Sequence, residues 1–139
     1  MGTDIRPEVS QRNPYWIEKH RYYELKHFCM QYPLWKKSYR ALDGYGQSSK
    51  YVIRAVSERF DADPTMACAQ ALTYYANRIG MIDRAAHDAS SVLAEYIVRG
   101  VTEGVSYDIL RARHAIPCCR DEYYGAYRKF FWILDRIRN

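Results

Sequence analysis

The sequence contains no glycine-rich phosphate loop, no His-Glu-x-x-His and no Gly-x-Ser-x-Gly. Those motifs hold a phosphate, a metal-bound water or an activated serine, so their absence argues against the common nucleotide-dependent and hydrolytic activities. Asp61 and Asp63 are the most noticeable acid pair, and they flank a helix start, where carboxylates serve as caps. The reading at this level is a protein that is not an enzyme, with no catalytic residues and no cofactor. No apolar run approaches the ~18 residues of a membrane span, so no membrane partner is expected. Alternating apolar and polar runs bounded by hairpin turns are also missing, as are internal repeats and low-complexity tracts.

Cysteine is scarce and unpatterned. Cys29, Cys68, Cys118 and Cys119 include no Cys-x-x-Cys pair, and the adjacent Cys118 and Cys119 would have to distort their shared peptide to bond to each other. His20 and His27 lie seven apart on one helix, a long reach for one ion, and zinc sites normally show a close ligand pair at each end. No metal is therefore expected. The opening segment MGTDIRPEVSQRNP has no apolar core of the signal-peptide kind. Free thiols in a reducing cytoplasm are the expectation that follows.

What is present is helical. The 139 residues suit one domain, and 48% of them are hydrophobic, near the globular norm. Aromatics reach 15%, with 14 tyrosines, whose apolar bodies and polar tips suit half-buried helix faces and interfaces. The net charge of +5 is unevenly spread. Residues 1–50 hold nine Lys/Arg against five Asp/Glu, residues 51–103 five against seven, and residues 104–139 seven against four. Both ends are thus basic and the middle is acidic, which permits an anionic partner without requiring one.

The pattern predicts an all-α fold: a compact helical bundle of about six helices with a flexible N-terminal arm over residues 1–12. The helical domain covers 13–139, with N-terminal helices in 13–62, central helices in 63–104 and a helix-turn-helix-like end in 105–139. Asn13 and Pro14 read as a cap and first position for a helix over Tyr15–Gln31, on which Trp16, Tyr23 and Met30 share one face and Leu25 and Phe28 another. Pro33 ends or bends it, and a shorter helix follows over Leu34–Leu42. DGYGQSS at 43–49 reads as a loop. Tyr51–Phe60 is the next helix, with Val52, Ala55 and Val56 inward. Asp63-Pro64 starts another, with Cys68, Leu72, Tyr75, Ile79, Ile82 and Ala86 stepping by four and three. Leu72, Tyr75, Ile79 and Ile82 are therefore a candidate dimer seam, although packing within one bundle explains the same spacing. Val92–Glu103 follows, with Leu93, Tyr96, Ile97 and Val101 inward and Gly104 as its C-cap.

The last third carries the functional signal. Ser106 caps a short helix over Tyr107–His114, Ala115-Ile116-Pro117 makes a tight link, and a longer helix runs over Cys118–Arg138. Its inner stripe is Tyr123, Tyr127, Phe130, Phe131, Leu134 and Ile137. A short helix, a brief turn with one apolar residue and a basic, aromatic helix outline a helix-turn-helix. Arg120, Asp121, Tyr124 and Arg128 fall near or outside the stripe in the first turns of the second helix. Arg reads guanine or pairs with phosphate, and Tyr donates to phosphate. Arg111, Arg113 and His114 are placed to hold the flanking backbone. The same outline fits any helical hairpin, and Asp121 and Glu122 would repel phosphates.

An apolar helix followed by Thr-Glu-Gly, Ser-Tyr-Asp-Ile-Leu, Ile-Pro, Arg-Asp-x-Tyr-Tyr and Arg-Lys-Phe-Phe, within 92–134, resembles the C-terminal region of small proteins from phages and prophages of Gram-positive bacteria, a likeness that extends to 14–42 and is weaker between. PYWIEKHRYYELKHFCMQYPLWKKSY at 14–39 has the same flavour. The group is similar to phage late-transcription regulators of the ArpU and RinA type, whose C-terminal part resembles the region-four helix-turn-helix of sigma factors. By that resemblance Ser106, Tyr107, Leu110, Pro117, Arg120, Asp121, Tyr124, Arg128 and Lys129 match the helix-turn-helix. It implies duplex DNA as partner, transcription regulation as function and the cytoplasm of a bacterial host as location. Gly125-Ala126-Tyr127 departs from the more basic run expected there. That departure keeps a second partner in view, a bacterial protein bound by an anti-CRISPR-like or polymerase-binding factor.

Overall fold

A computed structural model describes residues 13–43 and 50–138, with side chains from residue 53 onward in the second stretch. The arm expected over 1–12, most of the loop expected over 43–49 and the inward side chain of Val52 lie outside the described residues. The described residues form seven α-helices and no strand: α1 (Lys19–Met30), α2 (Tyr32–Leu42), α3 (Lys50–Phe60), α4 (Pro64–Ala89), α5 (Ala94–Glu103), α6 (Tyr107–His114) and α7 (Arg120–Arg138). The chain is all-α. No described helix is long and apolar enough to cross a membrane. The described residues divide into two compact units: the first comprises residues 13–31 with 81–138, and the second comprises residues 32–43 with 50–80.

In the first unit α1 packs on α5 and α7, and α5 also packs on α7 and α6. The α1 face that enters the core is Tyr22, Leu25, Phe28 and Cys29, a three-and-four spacing. Ile97 and Val101 come from α5, and Tyr123, Tyr127, Phe130, Phe131 and Leu134 from α7. The Tyr22 ring meets Phe131 edge-on at 5.1 Å, and the two hydroxyls of Tyr22 and Tyr127 lie 3.4 Å apart. Such edge-to-face pairs contribute about 0.5–1.5 kcal/mol beyond the area they bury. At the rim, Arg21 donates to the Asp135 carboxylate at 2.6 Å and also pairs with Glu24, which Arg138 reaches at 3.4 Å. Gly104 stops α5 as read, taking φ +70° and donating its N–H to the Gly100 carbonyl, whereas α5 starts at Ala94, two residues later than expected, with Leu93 as its N-cap and no side-chain cap bond.

The start of α1 differs from the expectation. Asn13 does form a turn, accepting the Tyr15 N–H on its side chain and the Trp16 N–H on its carbonyl, but residues 16–18 are not helical. Glu18 is the working cap, and one of its carboxylate oxygens accepts both the His20 and Arg21 N–H groups. The non-helical approach lets Ile17 bury and Tyr15 meet Trp132 edge-on at 5.5 Å. Those tertiary contacts outweigh one extra helical turn. Met30, expected on a packed face, is exposed, and so is Ile137 in the last turn of α7. Tyr96 is half-buried, while Leu93, Ile97 and Val101 bury as expected.

In the second unit α2 buries Tyr32, Trp35 and Leu42, with Pro33 in its first turn. On α3 Val56 is buried but Ala55, expected inward, is exposed. Asp63 caps α4 by accepting the Met66 N–H on its side chain. The part of α4 in the second unit buries Ala67, Ala71 and Tyr75, and its continuation in the first unit buries Ile82, Ala85 and Ala86, whereas Cys68, Leu72 and Ile79 are half-buried. The stripe has rotated by one position at its start because alanines allow closer approach than the larger side chains beside them. Of the candidate seam, Tyr75 and Ile82 are thus buried within the single chain, and Leu72 and Ile79 keep part of their surface.

Candidate functional site

The α6–α7 pair is built by local rules. The Ser106 hydroxyl accepts the Ile109 N–H at 3.4 Å, and its carbonyl accepts the Leu110 N–H at 3.0 Å. Ala115 closes α6 in the left-handed region at φ +51°, which turns the chain sharply. Ile116 then buries and pins the link, and Pro117 is exposed. The Cys119 carbonyl accepts the Tyr123 N–H at 3.1 Å, so α7 starts at Arg120, two residues later than expected.

Two tyrosines tie the helices together. The Tyr107 N–H donates to the Tyr124 hydroxyl at 3.2 Å, and the Tyr107 hydroxyl donates to the Cys118 carbonyl at 2.6 Å. This corrects the placing of Tyr124 among outward contacts: it is 5% exposed, and its hydroxyl serves the N-terminal turn of α6. The α7 stripe is wider than its spacing suggests, since Tyr123, Tyr124 and Tyr127 form a mutual cluster with ring centroids 5.0–6.0 Å apart. Burial pushes the Tyr123 and Tyr127 hydroxyls up in pKa, so both remain neutral. Tyr123 fits only because position 100 is glycine: a Cβ there would stand 2.1 Å from its hydroxyl oxygen. That hydroxyl is buried and has no hydrogen-bond partner among the described residues.

The remaining candidate residues are at or near the surface. Arg111, Arg113, Arg120 and Asp121 are exposed, and Ser106, His114, Arg128 and Lys129 are half-buried. Arg120 leans on the Tyr124 ring at 5.4 Å and faces Asp108 at 3.8 Å. Asp108 and Arg111 are three residues apart on α6. Ile109 is exposed beside them. The arrangement presents three arginines for phosphate or base edges, with Asp108, Asp121 and Glu122 diluting the field.

At the other end of α7, a pocket of about 540 Å³ is lined by Trp16, Ile17, Glu18, Arg21, Trp132, Asp135 and Arg136. The Arg136 guanidinium lies over the Trp132 ring at 3.9 Å. Sequence reasoning assigned Trp16 to a packing or contact face but had no signal that residues more than a hundred positions apart would share a pocket. Among the described residues no group of three or more His, Cys, Asp or Glu side chains gathers to hold a metal ion. The cysteines are free: Cys29 is buried, Cys68 and Cys118 half-buried and Cys119 exposed. Burial, then Glu122 and Cys119, push the Cys118 thiol up. Comparison of the chain with protein-family models, curated proteins and solved structures finds no match.

Proposed function

We propose that the chain binds duplex DNA through α6, the link and α7, as a transcription regulator of the phage and prophage kind acting in the bacterial cytoplasm. One observation carries the reading: the Tyr107–Tyr124 and Tyr107–Cys118 hydrogen bonds fasten a short helix to the start of a long one and leave Arg111, Arg113 and Arg120 at the surface. Such fastening is what a reader of the major groove needs, because base contacts tolerate little angular error. Fluorescence anisotropy with labelled promoter duplexes from phage and host tests it. Affinity is expected to fall steeply with salt as phosphate contacts release counterions. Arg120→Ala is expected to cost roughly 1–3 kcal/mol and to relax sequence preference if the guanidinium reaches a base. Absence of binding at low salt on every duplex would end the proposal. Pairing of two copies through Leu72 and Ile79 belongs to the same reading, since duplex readers commonly pair across half-sites. A light-scattering mass that stays near 16.4 kDa at all concentrations removes that part.

A second reading is a phage-encoded factor that docks on a bacterial protein, as an anti-CRISPR-like inhibitor or polymerase-binding factor. It is favoured by Asp121 and Glu122, both exposed in the first turn of α7, where phosphates would repel them. A stoichiometric protein partner that survives nuclease treatment in a pull-down supports it; co-purification of nucleic acid alone counts against it.

A further inference from the structure

The second unit contains a cationic feature that the α6–α7 reading does not use. The Arg78 guanidinium lies 3.6 Å from the centroid of the Tyr74 ring, one turn earlier on α4. Arg59, from the end of α3, approaches the same ring at 5.5 Å and also faces Phe60 at 5.9 Å. Phe60 meets Tyr74 edge-on at 5.9 Å, which fixes the ring between the two helices. Trp132 receives the Arg136 guanidinium and Phe28 that of Arg138 in the same manner. Tyr74 receives two.

Arg78 at 3.6 Å and Arg59 at 5.5 Å from one ring centroid bring two positive charges to one small region of the second unit, and such a region attracts an anion. No carboxylate of the described residues pairs with either arginine. Glu58 pairs with Arg54, and Asp63 caps α4. Arg59 is exposed and Arg78 half-buried, so both are reachable from solvent. A guanidinium lying over a ring face, as Arg78 does at 3.6 Å, keeps its edge donors available to a ligand.

We propose that Arg59 and Arg78, held by Tyr74, form a phosphate-binding site that takes a backbone phosphate of duplex DNA. The proposal rests on the duplex-DNA reading above and assigns the second unit a backbone-positioning contact. It predicts a sequence-independent contribution to affinity.

The test uses the full chain in two arms. In the first, inorganic phosphate is titrated at low salt while the arginine Nε–H signals are followed by NMR. Saturable shifts at Arg59 and Arg78, larger than at the ion-paired Arg54 and Arg99, are expected; equal shifts at all four overturn the site. In the second, duplex affinity is measured across salt for wild type and for Arg59→Gln/Arg78→Gln. Loss of two phosphate contacts is expected to reduce the salt slope by about 1.8. Between 50 and 200 mM salt the wild type then loses roughly 12-fold more affinity than the variant. Arg59→Lys/Arg78→Lys, which keeps both charges, is expected to retain most of the slope. An unchanged slope in the glutamine variant, with wild type still binding duplex, overturns the proposal and spares the DNA reading. Phosphate shifts at Arg59 and Arg78 in a protein that binds no duplex leave the anion site standing, and overturn both its assignment to DNA and the DNA reading.

Discussion

The contact between Gly100 and Tyr123 makes a quantitative prediction, because one substitution should reverse the sign of another. Gly100→Ala alone places a methyl group 2.1 Å from the Tyr123 hydroxyl oxygen in a fully buried site. Overpacking of this kind costs about 1–3 kcal/mol, offset by the roughly 1 kcal/mol that alanine gains over glycine inside a helix. The net expectation is a loss of up to about 2 kcal/mol. Tyr123→Phe alone removes a buried hydroxyl that has no partner, and leaving such a group unpaired costs about 1–3 kcal/mol. The phenylalanine variant should therefore be more stable than wild type by about 1 kcal/mol. In the double variant the nearest ring atom to the new methyl is Cζ, at 3.5 Å, an ordinary contact. The alanine's helical gain then emerges, and the pair should exceed wild type by about 2 kcal/mol. Urea denaturation of all four proteins, followed by far-ultraviolet circular dichroism, measures the cycle, with a coupling of about 1–3 kcal/mol. Two results would refute the reasoning. One is an equal cost of Gly100→Ala in both backgrounds. The other is a clear loss of stability in Tyr123→Phe, which would mean that the hydroxyl has a partner.

Asp108→Asn removes the carboxylate that faces Arg120 at 3.8 Å, so duplex affinity should rise and its salt slope steepen; weaker binding in anisotropy titrations would contradict the placement of α6 at the DNA. Iodoacetamide should label the exposed Cys119 first, and Cys29, whose thiol burial holds well above its usual range, only after unfolding. Mass-mapped labelling in the reverse order would show that the α1 face is not the core. Glu18 has its pKa lowered below the ordinary 4.5, chiefly by accepting the His20 N–H, so its capping contribution is present above that pH and is lost on acidification. Urea midpoints of wild type and Glu18→Gln should therefore differ at pH 7, and the difference should shrink as the pH falls below 4.5. A difference that persists unchanged would show that charge is not what makes Glu18 the cap.

Features decided by groups within one turn of each other were legible in the sequence. Ser106, Asp63 and Gly104 act as caps where read, since a cap needs only its own helix end. The α7 stripe of Tyr123, Tyr127, Phe130, Phe131 and Leu134 buries as the 3.6-residue period requires, and the all-α class follows from such patterns. Helical period tells which residues share a face, but the neighbours decide how wide an arc they cover and where it is centred. That is why Tyr124 turned inward and joined the α6 terminus, and why α4 buries Ala67 and Ala71 in place of Cys68 and Leu72. Competition between a local cap and a distant surface was equally invisible: Asn13 had the better cap signal, yet burial of Ile17 and the Tyr15–Trp132 contact moved the helix start to Lys19. The gathering of Arg59 and Arg78 on Tyr74, and of Tyr123 on Gly100, depends on which helices meet. Only the tertiary structure decides that, because it is set by the summed packing of whole faces and not by any short run of residues.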